Sequence, residues 1–200
     1  MKKIKKEIIK DNNPKKIKSE IKIESGDVLL HQSKSWLGRQ IRKWMEFARV
    51  KAGLNPRTLY NHASMVIELW GKLWIIEAVG KGVHILPLEQ RLGHDKQILV
   101  KTWKKILTKK EANNLSKKAV AFAGENHEYQ FSAFILHIIK ITFGKWFGRK
   151  NIKTQKRVNC SELVAILMDF IRNCFKGNTY DKSPLDIDLN KCLVNKTILK

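Results

Sequence analysis

The sequence predicts an α+β fold, and three observations lead to it. Apolar residues recur at helical spacing over residues 36–51. From 62 to 103 the pattern changes to short strand-like runs separated by turn residues, and after 108 it returns to helical spacing. A chain of 200 residues with 43% hydrophobic side chains and six tryptophans is long enough to bury one core. No internal repeat and no second domain interrupt it, so one domain is expected over 25–200 behind a basic arm over 1–24.

The arm, Met1–Glu24, carries nine lysines and is interrupted by Asn12-Asn13-Pro14. It begins basic, but no apolar stretch of about 7–15 residues follows as a secretory signal requires. A solvated arm is the expectation. Gly26-Asp27 then turns the chain into a short apolar strand through His31. Trp36–Lys51 places Leu37, Ile41, Trp44 and Ala48 at helical spacing, with Arg39, Arg42, Lys43 and Arg49 on other faces. This amphipathic basic helix ends near Gly53–Pro56.

Residues His62–Trp70 and Leu73–Val79 read as two strands joined by a hairpin turn at Gly71-Lys72. Gly80-Lys81-Gly82 introduces a third, Val83–Leu86. Pro87 suits the first turn of a short helix, and Gln97–Trp103 is a further strand. Thr108, with Glu111 three residues on, caps a polar helix to about Asn126. Phe131–Phe147 is the most apolar stretch. Its 17 residues include His137, Lys140 and Lys145, and a membrane span needs about 20 residues with few charges. It is expected as a helix that is buried or lies against lipid. A basic loop over Gly148–Arg157 leads into a helix over Asn159–Asn173, with Leu163, Ile166, Leu167, Phe170 and Ile171 three and four apart and a stop at Gly177-Asn178. The tail alternates in Leu185-Asp186-Ile187-Asp188-Leu189.

Lysine and arginine number 40 against 18 acidic residues, a net charge of +22 and a pI near 10.0. Such a surface attracts polyanions, whether nucleic acid, an anionic membrane or a cell-wall polymer. Nucleic-acid binding is one reading, resting on this charge and the basic helix. No recognisable RNA or DNA module and no recurring aromatic-basic motif accompany it. Without a signal or a spanning helix, the expected location is cytoplasmic, with peripheral membrane association or delivery by a phage or virus as the other routes.

Cys160 occupies the most informative position. Asn159 is a good N-cap, and Glu162 stands where a capping box needs it. Cys160 then falls at the first helical position, where free backbone N–H groups and the helix dipole stabilise a thiolate. Its own N–H can receive a developing oxyanion, and Lys153, Lys156 and Arg157 precede it. A lone helical cysteine is ordinarily a small core residue, so a nucleophile requires a base. Of six histidines, His62 opens a strand. Glu77 interrupts the apolar run Leu73–Ala78, and a carboxylate there needs a partner. With the turn at Gly71-Lys72, His62 lies nine residues before Gly71 and Glu77 five after Lys72. They are not directly opposite, so contact requires a bulge, a stagger or a third strand. In a continuous helix Cys174 would lie about 21 Å from Cys160, too far for a disulfide. With no CxxC pair and no HxxxH, zinc is disfavoured.

Taken in order, Gly26-Asp27-Val28-Leu29-Leu30, Asn61-His62-Ala63-Ser64-Met65-Val66, Ile75-Ile76-Glu77-Ala78 and Asn159-Cys160-Ser161-Glu162-Leu163-Val164 resemble the permuted papain-like cysteine hydrolases of the NlpC-type superfamily. The branch is that of YiiX-like bacterial proteins and a poxvirus relative. The resemblance covers 26 to about 170 and implies a circularly permuted papain-like fold, with an antiparallel sheet or small barrel against the helix carrying the cysteine. It implies Cys160 as nucleophile, His62 as general base and Glu77 as the residue orienting His62. The Cys160 N–H would bind the oxyanion, with Gln32 a candidate second donor. The implied substrates are peptide amides, cell-wall peptides or lipid-linked acyl groups, with no metal and no organic cofactor. Residues 108–150 carry no signature of the family and are expected as a helical insertion.

Overall fold

The computed structural model describes residues 22–51, 60–80, 82–92, 95–125, 128–129, 157–180 and 182–199. The expected helix over 131–147, most of the arm and most of the basic loop lie outside these residues.

The Gly26-Asp27 pair builds the entry to β1 (Val28–Gln32). Gly26 has φ +92, and a Cβ there would meet Leu107 at 2.4 Å, so both conformation and space call for glycine. Asp27 Oδ2 accepts from the Glu24 N–H at 2.9 Å and pairs with Lys196 Nζ at 2.8 Å. The helix α1 (Trp36–Lys51) follows.

Strands β2 (His62–Leu69) and β3 (Lys72–Val79) form the hairpin. Its turn is Trp70-Gly71, one residue earlier than expected. Both have positive φ, 52° and 69°, as the tight two-residue hairpin turn requires. Leu69 therefore faces Lys72, and Met65 faces Ile76. There follow β4 (Gly82–Pro87), α2 (Leu88–Arg91), β5 (Gln97–Trp103), α3 (Lys109–Gly124), β6 (Glu128–Tyr129), β7 (Arg157–Val158), α4 (Cys160–Arg172), α5 (Pro184–Asp188) and β8 (Leu193–Leu199).

The main sheet is open and six-stranded, in the order β4-β3-β2-β1-β5-β8, with every pair antiparallel. Strand alternation divides the core in two. Val28, Leu30, Ala63, Met65 and Ile76 pack on one face with Leu115 and Ala119 of α3 and Leu163 and Leu167 of α4. Leu29, Val66, Ile75 and Ile98 pack on the other with Leu88 and Leu92. Each buried Val, Leu, Ile or Met side chain here stabilises the fold by about 2 kcal/mol. The class is α+β, and α3 is part of the core layer. No helix among the described residues is long and apolar enough to cross a membrane.

Two expectations about the C-terminal third are corrected. The helix α4 has the expected extent, but its stop is Asn173, whose left-handed φ of 48° caps it, and not Gly177-Asn178. Asp169 then accepts from the N–H groups of Phe175 and Gly177, both at 2.7 Å, and holds the chain reversal. The alternating tail is helical: Ser183 and Asp186 form a capping box around Pro184, and this local chemistry overrides the period of two. Beyond it, β8 completes the sheet edge. A disulfide joins Cys174 to Cys192, with Cα atoms 6.1 Å apart. Cys160 is free and buried.

Candidate active site

Cys160 is presented by the cap of α4. Asn159 Oδ1 accepts from the N–H groups of Ser161 and Glu162, each at 2.9 Å, and Glu162 Oε2 accepts from the Asn159 N–H at 3.0 Å. The Cys160 N–H stands outside this box, at the positive end of the helix dipole. The Ser161 hydroxyl lies 3.8 Å from Cys160 Sγ.

His62 is the first residue of β2, held by Asn61. The Asn61 N–H donates to the His31 carbonyl at 2.9 Å, and Asn61 Oδ1 accepts from the Ser33 N–H at 2.9 Å and from Arg42 at 3.4 Å. At Gly38 a Cβ would stand 2.4 Å from Asn61 Nδ2, so α1 closes against this loop only through glycine.

The imidazole reaches Glu77 without bulge or third strand. Carrying the Met65–Ile76 register one step further sets Ser64 beside Glu77. His62 lies two residues before Ser64 on the same face, and long side chains bridge such diagonal positions. His62 Nε2 donates to Glu77 Oε2 at 2.7 Å, which leaves Nδ1 for the thiol.

Electrostatics link the three groups. Burial opposes a charged His62, but the Cys160 thiolate and then Glu77 outweigh it and raise its pKa to about 10. Burial likewise opposes the thiolate. The His62 charge and hydrogen bond, the Ala63 N–H and the Ser161 hydroxyl outweigh it and hold the thiol below its ordinary value. Burial opposes the Glu77 carboxylate too, yet His62 and Arg91 bring it down to about 2. These shifts favour the thiolate of Cys160 and the charged form of His62, with an ionised carboxylate on Glu77 behind them.

A second imidazole stands beside the first. His31 faces His62 across β1 and β2, with ring centroids 5.2 Å apart. Its Nδ1 donates to Asp95 Oδ2 at 2.8 Å, and its Nε2 accepts from the Ser64 hydroxyl at 2.7 Å. Burial, with the His62 and Arg91 charges, outweighs Asp95 and lowers its pKa to about 4, so this ring is neutral. Arg91 bridges the carboxylates, with Nε 3.2 Å from Glu77 Oε2 and Nη1 3.1 Å from Asp95 Oδ2. Sequence reading missed Arg91, Asp95, His31 and Ser64. The Arg91–Asp95 spacing of four at the end of a helix is the one signal that could have suggested a pair.

Gln32 ends β1 and is buried. It alternates with His31 and so shares the face of Leu30, against which the cysteine's helix packs. His31, His62 and Glu77 offer ligand atoms within 4.8 Å of one another. The atoms of that cluster are engaged: both His31 nitrogens, His62 Nε2 and Glu77 Oε2 carry hydrogen bonds, and Arg91 supplies the neighbouring positive charge.

A family model described as permuted papain-like amidase enzyme, YaeF/YiiX, C92 family, matches residues 22–169. Among solved structures, the chain is similar to one titled as the crystal structure of metalloprotein yiiX from Escherichia coli O157:H7. The TM-score is 0.61 at 18% identity, covering 87% of this chain and 96% of that one. No curated protein matches the sequence.

Proposed function

The chain belongs to the permuted papain-like amidase family, and from that premise we propose that it hydrolyses amide or ester bonds through Cys160, His62 and Glu77. The substrate class is a peptide, a cell-wall peptide or a lipid-linked acyl group. One observation carries this reading: His62 donates to Glu77 on one side and is paired electrostatically with Cys160 on the other.

Cys160 Sγ attacks the carbonyl carbon, and the resulting oxyanion is received by the Cys160 N–H at the head of α4. Gln32 is the proposed second donor. The His62 imidazolium gives its proton to the leaving amine or alkoxide as the C–N or C–O bond breaks. Neutral His62 then takes a proton from water, whose oxygen attacks the thioester. As that intermediate collapses, the thiolate leaves and the acid is released. Glu77 fixes the imidazole and stabilises its charge throughout. Nucleophile, base and orienting group all come from protein side chains, so hydrolysis is expected to survive chelation by EDTA.

The test is hydrolysis of p-nitrophenyl esters and blocked peptide amides by the wild type, Cys160→Ala and His62→Ala. Loss in both variants is expected. Undiminished hydrolysis by folded Cys160→Ala overturns the reading.

A further inference from the structure

Arg91 sits between the two carboxylates that hold the two imidazoles. Its Nε donates to Glu77 Oε2, the same oxygen that accepts from His62 at 2.7 Å. Its Nη1 lies 3.1 Å from Asp95 Oδ2, the same oxygen that accepts from His31 at 2.8 Å. The side chains of Glu77, Asp95 and Arg91 are 7%, 2% and 16% exposed, so solvent screens these contacts little. The result is one chain of contacts: Cys160, His62, Glu77, Arg91, Asp95, His31, Ser64.

We infer that Arg91 is a positioning residue of the proposed hydrolytic site, its planar guanidinium fixing Glu77 on His62 and Asp95 on His31 together. The inference rests on the reading of Cys160, His62 and Glu77 given above. A planar fork can serve two carboxylates at set angles, whereas a lysine ammonium is a point charge on a flexible stem. Fixing Asp95 also fixes the tautomer of His31, because Asp95 takes the Nδ1 proton and leaves Nε2 to accept from Ser64. That keeps an uncharged ring beside the His62 imidazolium. Among the described residues, the titratable and charged groups around Glu77 are His62 on β2, His31 on β1, Arg91 on α2, and His84, opposite it on β4. Of these, Arg91 alone joins both imidazole–carboxylate pairs.

A charge role and a positioning role have opposite signs at His62. Removing a nearby cation raises an imidazole pKa, whereas releasing the carboxylate that orients it lowers the pKa. The test is the NMR titration of His62, together with iodoacetamide alkylation of Cys160 at pH 6, in the wild type, Arg91→Gln and Arg91→Lys. Thermal unfolding establishes that each is folded. Expected in Arg91→Gln are a downward shift of about one pH unit at His62 and alkylation slowed about tenfold. Arg91→Lys is expected to restore neither. A His62 titration that is unchanged or raised in Arg91→Gln, or full restoration by Arg91→Lys, overturns the inference. Should Arg91→Gln not fold, Arg91→Lys decides alone, because it keeps the cation: a downward shift at His62 and slower alkylation are expected, and values equal to wild type overturn the inference. Ordinary thiol reactivity of Cys160 in the wild type would instead overturn the hydrolytic reading itself, so the two failures are distinct.

Discussion

Glu77 Oε2 lies 2.7 Å from His62 Nε2 although the two residues are not partners in the sheet. The contact is diagonal, made from the first residue of β2 to a position on β3 two residues out of register. It depends on a hairpin register set by the left-handed pair Trp70-Gly71. A residue added to or removed from that turn would put Glu77 on the other face of the sheet.

Replacing Glu77 with Gln keeps the shape and removes the charge. The imidazolium loses its buried counter-charge, and the His62 pKa is expected to fall from about 10. Hydrolysis of a p-nitrophenyl ester should drop by roughly 10²-fold, mainly in kcat. The basic limb of the pH profile should move to lower pH with it. A profile identical to wild type would remove Glu77 from the mechanism.

His31 gives the fold an acid sensitivity of its own. Its pKa in the folded protein is about 4, below the ordinary 6.5. Between those values the unfolded chain binds the additional proton, so stability rises with pH across that window and is lost as pH falls toward 4. The contribution is at most about 3 kcal/mol. Urea midpoints at pH 4.5 and pH 7 should differ clearly in the wild type and much less in His31→Gln. Equal pH dependence in both would place the acid sensitivity elsewhere.

The Cys174–Cys192 bridge ties the end of the cysteine's helix to the start of β8 across an 18-residue separation. A loop of this length confers about 3 kcal/mol on the chain-entropy view. Without reductant, the unfolded protein should show one reactive thiol, Cys160. The double variant Cys174→Ser, Cys192→Ser should melt several degrees lower. Three free thiols in protein kept from reductant would show that the bridge does not form.

Much of the fold was legible because its signals are local. Thr108 with Glu111 and Asn159 with Glu162 announce helix starts, and both capping boxes form. The paired strands declare themselves by apolar runs between glycines. The tail was not legible. Leu185–Leu189 alternates like a strand, but Ser183, Pro184 and Asp186 nucleate a turn of helix. The edge strand β8 carries Asn195, Lys196 and Thr197 at its centre, which hides its period. The turn was misplaced by one residue because a tryptophan with positive φ is not anticipated from sequence. At the candidate site, a helix cap located Cys160 and a strand start located His62. The Glu77 contact could not be decided while the turn was one residue out. The His31–Asp95 contact spans 64 residues, and no local pattern encodes a pairing of that range.

The most direct measurement is the rate of iodoacetamide alkylation of Cys160 from pH 5 to pH 9, in the wild type and in His62→Ala. The proposed Cys160–His62 ion pair calls for a thiolate already reactive at pH 6, and for His62→Ala to return the profile toward that of an ordinary thiol, with a pKa of about 8.5. An ordinary thiol profile in the wild type, unchanged by His62→Ala, would contradict the assignment of Cys160 and His62 as nucleophile and base.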